Sequence, residues 1–262
     1  MPQIDVPLIR GRFGETSRPD NWWVQPLVVF LGFSLFIVYS TWAAFQNNYY
    51  SSGPLLSPFY SPLFYGDPRF AWFGSGPPSW FPSFIPFSSA FLILWIPGGF
   101  RFTCYYYRGA YYKAFWADPP NCAVGEPRKT YWGERTFPLL IQNIHRYFFY
   151  LAVIVIALLA RDVWEATKFD NGFGVSVGTL VLTINVVLLS CYTFGCHSFR
   201  HLSGGIKDIL SGSPVRKKVY DCVGCLNSRH MRFAWFSLFG VGFSDLYVRM
   251  CAMGFWKDIR LF

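Results

Sequence analysis

The chain has 262 residues and a formal net charge of +9, with 53% hydrophobic, 21% aromatic and only 14% charged residues. A soluble domain carries about 25% charged residues, so this balance, together with long apolar runs, gives an integral membrane protein. The positive charge does not indicate nucleic acid, because the basic residues lie in short loops beside apolar segments, where they set topology.

Residues 1–22 read as a polar cytoplasmic arm with Arg10, Arg12 and Arg18, and the remainder, 23–262, as one membrane domain. The arm has no apolar core of the kind a cleavable signal peptide needs. The first span covers about 23–45 and opens on Trp22 and Trp23, a pair suited to the membrane interface. A loop over 46–83 follows, rich in Pro, Ser and aromatics, with Asp67 and Arg69 its only charges. Repeated Pro forbids regular helix there, and so few charges imply a packed aromatic cap.

The second span covers about 84–107, with Pro97-Gly98-Gly99 expected to kink it or end its regular part. The third covers about 137–160 and has Gln142, Asn143, His145 and Arg146 in its first turns. Its purely apolar part is too short for a hydrocarbon core of about 30 Å, so the polar start needs shielding by neighbours, a cofactor or another subunit. The fourth and fifth spans cover about 175–199 and 233–253. The fold class is therefore all-α, an integral membrane bundle of five transmembrane helices. Sixteen Lys and Arg on one set of loops against five on the other place the amino terminus in the cytoplasm and the carboxyl terminus outside.

This topology gathers His145, His197, His201 and His230 at one face, with Cys104, Cys122, Cys196, Cys222 and Cys225 at or beyond the same level. Cytoplasmic thiols stay reduced and free to bind metal. His197 and His201, four apart, share a helix face, with Cys196 about 100° round from it. Three site chemistries fit the residue types. Haem b could be held by His145 with His201 or His197 from antiparallel helices. A [2Fe–2S] cluster could take two Cys and two His, the Rieske set. Structural zinc could use Cys222, Cys225 and His230, a partial site needing a fourth ligand. Asp245 and Arg249, four apart in the fifth span, read as a helix-face ion pair or as a polar pocket or proton path.

The stretches Leu140-Ile141-Gln142-Asn143-Ile144-His145-Arg146-Tyr147, Tyr192-Thr193-Phe194-Gly195-Cys196-His197-Ser198-Phe199-Arg200-His201 and Ser244-Asp245-Leu246-Tyr247-Val248-Arg249 resemble the cytochrome b-type membrane anchor of bacterial succinate dehydrogenase and fumarate reductase. The likeness covers most of 84–255. The first two spans lack the His of di-haem anchors, which shifts the expectation towards an iron–sulfur centre with Cys and His ligands. His145 and His201 are the expected ligands, with Cys196 and Cys104 as thiolates and His197 and Cys122 in reserve. Arg146 and Tyr147 are the expected donors to a quinone.

The resemblance implies an electron relay. A flavoprotein subunit oxidises succinate, an iron–sulfur subunit docks on the cytoplasmic loops, and this chain reduces a quinone in the plasma membrane, without a dicarboxylate site of its own. A trimer of heterotrimers is the assembly expected. The competing class is a non-redox membrane scaffold or transporter whose Cys and His pack or bind zinc.

Overall fold

The computed structural model describes residues 12–129, 137, 141, 144–170, 172–205 and 207–262. They are mostly helical and divide into two units, one from 1–35 and 102–143, the other from 36–101 and 144–262. Arg10, Gln142 and Asn143 lie outside the described residues.

The first unit contains the beginning of helix α1 (Val24–Gln46) and helix α3 (Tyr105–Ala114). Its core is aromatic. Phe33 meets the buried Tyr107 edge-on at 4.9 Å between ring centroids, and Phe30 lies 5.0 Å from Phe115. The arm is tied to the loop that follows α3. Arg18 donates to the Cys122 carbonyl at 2.8 Å, Asn121 donates to the Trp22 carbonyl at 2.9 Å, and Gly14 and Glu15 exchange backbone bonds with Gly125. The hydrogen bond from Arg18 also holds the Asp20 carboxyl below the usual carboxylate range.

The second unit holds the rest of α1, α2 (Phe91–Phe102) up to Arg101, α4 (His145–Glu165), α5 (Val177–Phe194), α6 (His197–Arg200), α7 (Pro214–Ser228) and α8 (His230–Ala252). Two small hairpins join them, β1–β2 (Ser51–Ser52, Leu55–Leu56) and β3–β4 (Lys168–Phe169, Gly172–Phe173). Among the described residues, α1, α4 and α5 are long and apolar enough to cross a membrane. The helix α2 is shorter, at 12 residues, and Pro97 lies inside it rather than ending it. The chain breaks instead at Cys104, whose backbone is extended. Residues 84–90, expected to begin the second span, stay in turns after Pro82 and Pro86, where proline withholds a backbone donor.

Lipid is as apolar as Leu, so helices in a membrane are held by close packing and internal polar bonds rather than by hydrophobic burial. The helix α5 shows both. A Cβ on Gly178 would stand 2.3 Å from Leu55 and 3.1 Å from Tyr247, so only glycine permits that approach. The start of α5 is closed by Ser176 and Thr179, which cap each other's backbone N–H.

The 46–83 loop divides in two. Its first part packs as a cap, with Leu56, Phe59, Tyr60 and Leu63 buried against Ala43 and Ala44 of α1. Its later part does not, and Phe73 and Trp80 stand more than two-thirds exposed.

Asp245 and Arg249 form a fully buried ion pair on α8, 3.3 Å apart. Tyr39 donates to Asp245 at 2.6 Å, and Ser57 donates to its other oxygen. Arg249 donates to the carbonyls of Asn48 at 2.9 Å and Ala43 at 3.4 Å, with the Trp42 ring beneath it at 5.2 Å. Each charge is met, which is the condition for burying such a pair. This packing accounts for both residues as a latch between α8, α1 and the cap.

Candidate functional site

The other end of the second unit carries a packet built around Arg101. The preceding glycine, Gly99, lets α2 approach α4, since a Cβ there would stand 2.2 Å from the Phe148 ring. That approach stacks Phe100 on the His145 imidazole, with centroids 4.5 Å apart and planes 12° from parallel. Arg101 then reaches α8, donating to the Ala234 carbonyl at 3.2 Å and to Ser237 Oγ at 3.0 Å. Its guanidinium lies 4.7 Å over the Tyr192 ring of α5, a cation–π contact. Tyr192 in turn stacks on His230 at 5.0 Å. Helices α2, α4, α5 and α8 thus each supply one part of a single aromatic and cationic cluster.

Beside this cluster lies a cavity of about 160 Å³ with largely apolar walls. Phe36, Phe59, Pro97 and Val155 line it, and Arg101 and Tyr192 are among its polar lining groups. Such a site can take a flat apolar molecule and offer it a guanidinium donor.

The residues expected from sequence are distributed as follows. His145 is buried at the first position of α4. Arg146 and Tyr147, the expected quinone donors, follow it. Tyr147 is 68% exposed, Arg146 Nη2 lies 3.2 Å from His201 Nδ1, and neither lines the cavity. A guanidinium only donates, so His201 Nδ1 is the acceptor in that contact.

Cys196 is buried, but the helix geometry expected for it does not hold. α5 stops at Phe194, Gly195 turns the chain, and Cys196 is extended as the N-cap of α6, its Sγ accepting from the Phe199 N–H at 3.4 Å. Gly195 is needed because a Cβ would stand 2.7 Å from the Cys191 carbonyl. His197 opens α6 and is exposed. Cys104 is buried at the start of α3 and Cys122 is exposed; both belong to the first unit. Cys222 and Cys225 are exposed on α7, with Arg229 Nη1 3.0 Å from Cys225 Sγ, while His230 faces Tyr192.

Among the described residues, no three His, Cys, Asp or Glu side chains come close enough together to hold a metal ion. The donor types suit a cluster or haem. The aromatic rings of Phe100 and Tyr192 lie against His145 and His230, each on the imidazole face.

Sequence reading counts Arg101 as a loop charge and gives Phe100 and Tyr192 no role, although Tyr192 opens one of the quoted motifs. The available signal is a cation placed directly after Pro97-Gly98-Gly99 in an otherwise uncharged run from 70 to 100.

Comparison with known proteins supplies two matches. Residues 24–254 match the family described as actinobacterial succinate dehydrogenase subunit SdhC. A chain of the Mycobacterium smegmatis Sdh1 complex in the apo form is 42% identical, with a TM-score of 0.87 and 97% of each chain covered. Curated protein sequences give no match. The chain belongs to the actinobacterial succinate dehydrogenase SdhC family.

Proposed function

We propose that the chain anchors a succinate dehydrogenase in the plasma membrane and passes electrons from a docked iron–sulfur subunit to a quinone held in the cavity beside Arg101. The observation that carries this reading is the cavity itself, an apolar recess inside a membrane-type bundle with a buried guanidinium among its lining groups. Arg101 donates to a quinone carbonyl and stabilises negative charge as electrons arrive. Tyr192 and Ser237 hold Arg101 in place. The apolar walls exclude water from the ring.

The rest of the assembly follows the family. A flavoprotein subunit oxidises succinate, and the iron–sulfur subunit approaches the basic cytoplasmic side, where α7 presents Lys217 and Lys218. The reading includes five membrane crossings, a cytoplasmic amino terminus and a trimer of heterotrimers.

A redox centre at the His-rich end remains part of the proposal, supported by the residue types there. A [2Fe–2S] cluster would draw on His145, His201, Cys196 and Cys104, with His197 and Cys122 in reserve. Haem b would draw on His145 with His201 or His197. When bound, either would store single electrons on the way to the quinone. Optical and paramagnetic spectra of the whole complex test this. His145→Ala and Cys196→Ser both remove the signal of a mixed cluster, and only the His change removes a haem signal. A signal untouched by both excludes these ligands.

The quinone site is tested with Arg101→Met in the assembled complex. Succinate-dependent quinone reduction should fall at least tenfold, while reduction of a water-soluble dye by the partner subunits is kept. Unchanged quinone reduction would remove the site from this cavity.

A further inference from the structure

A second recess lies at the far end of α4 and is of opposite character. Its volume is about 240 Å³. Arg69, Arg161 and Lys168 line it together with Asp162, Glu165 and Trp72. The two carboxylates already have partners. Asp162 accepts from the Ser61 hydroxyl, and Glu165 pairs with Lys168 at 2.9 Å. Arg69 leans outward to Asp170 at 2.9 Å, in a pair whose side chains are 46% and 88% exposed. Exposed pairs of that kind exchange readily for a better anion. Arg69 can therefore turn to an oxyanion, and Arg161, exposed beside the Asp162 carboxyl, lines the same recess; guanidinium is the side chain best matched to phosphate.

Depth identifies the kind of phosphate. Arg161 is sixteen residues beyond His145 on one helix, or about 24 Å along its axis. A hydrocarbon core measures about 30 Å, so Arg161 lies close to the side opposite His145, where a long basic side chain reaches headgroup level. Trp72, which lines it, lies in a stretch with no charged side chain from residue 70 to residue 100. Within that stretch Phe73 is 68%, Trp80 69% and Phe84 84% exposed. Large aromatic side chains left this exposed are suited to contact with apolar surroundings. Aromatic residues favour the membrane interface, and the stretch continues directly into the apolar helix α2.

We infer that this recess binds an anionic phospholipid of the leaflet on that side. The phosphate lies against Arg69 and Arg161, with Lys168 at the rim, and the acyl chains run along the aromatic stretch 72–85. The site is independent of the quinone reading, since it shares no residue with the cavity beside Arg101.

The experiment uses the complete complex in nanodiscs of phosphatidylcholine doped with a photoreactive phospholipid, either phosphatidylglycerol or phosphatidylcholine. Phosphatidylglycerol should label 69–85 and 161–168 at least fivefold more than phosphatidylcholine does. The double variant Arg69→Gln, Arg161→Gln should bring the two to the same level, and the comparison in the unsubstituted complex stands even if that variant does not assemble. Equal labelling by both lipids overturns the site. So does labelling abolished by millimolar inorganic phosphate, which would make it a free-phosphate site. Cross-links joining 70–90 of one copy to a second copy would make the aromatic stretch a subunit contact and overturn the lipid reading.

Discussion

Two buried arginines, Arg101 and Arg249, divide the second unit into ends of different purpose. Arg249 is neutralised on its own helix by Asp245, and both side chains are fully enclosed. Arg101 has among its partners a carbonyl, a hydroxyl and an aromatic face, and it borders a cavity. A charge met by an opposite charge has nothing left to offer a ligand. A charge held by dipoles in a recess can still turn part of its field on an incoming carbonyl. On the proposed reading, the contrast separates an arginine that closes structure from one that serves a site.

The sharpest way to break the comparison is to remove one partner at the Asp245 end. Asp245→Ala leaves a guanidinium buried without its counter-charge, a change that costs about 3–5 kcal/mol. The complex should lose heat resistance in detergent, with Arg249→Met nearly as damaging. Replacing both with apolar residues should recover part of the loss, and no recovery would mean that the carbonyl contacts to Asn48 and Ala43 matter more than the pair.

An intermediate effect is expected from the two close approaches. Gly178→Ala forces a methyl against Leu55, and Gly99→Ala forces one against Phe148. Each should cost about 1–3 kcal/mol. Only the second should also depress quinone reduction, because it displaces the stack of Phe100 on His145. Equal effects of both on turnover would erase the distinction between the ends.

The smallest stability effect belongs to Arg101→Met, under about 1.5 kcal/mol, because an apolar side chain of similar shape avoids the cost of burying a charge. The Ala234 carbonyl also keeps the Ser237 hydroxyl as a donor. Its catalytic effect should be the largest of the series. A stability loss as large as that of Asp245→Ala would make Arg101 a second latch.

Much of the helical plan could be read from the sequence because apolar runs are local. The helix Val24–Gln46 follows the apolar run after Trp22 and Trp23, and the three quoted motifs carry enough identity to indicate the family. What escaped the reading depends on distance along the chain. Arg101 and Ser237 are 136 residues apart, and no periodicity links them. The Gly195 turn escaped for another reason, since a single Gly is tolerated inside a helical pattern. The His set was visible as residue types gathered at one face. Its stacking on Phe100 and Tyr192 was not, because that is a property of the packed helices.

The latch on α8 also bears on how the protein is made. Asp245 and Arg249 grip Tyr39, Asn48 and Ser57, which leave the ribosome roughly two hundred residues earlier. The cap over the early helices therefore cannot be fastened until α8 has been made. A nascent chain stopped before α8 holds an open loop with unmet polar groups, a form that membrane proteases can recognise. Synthesis of α8 is thus the step that lets the cap close on the early helices.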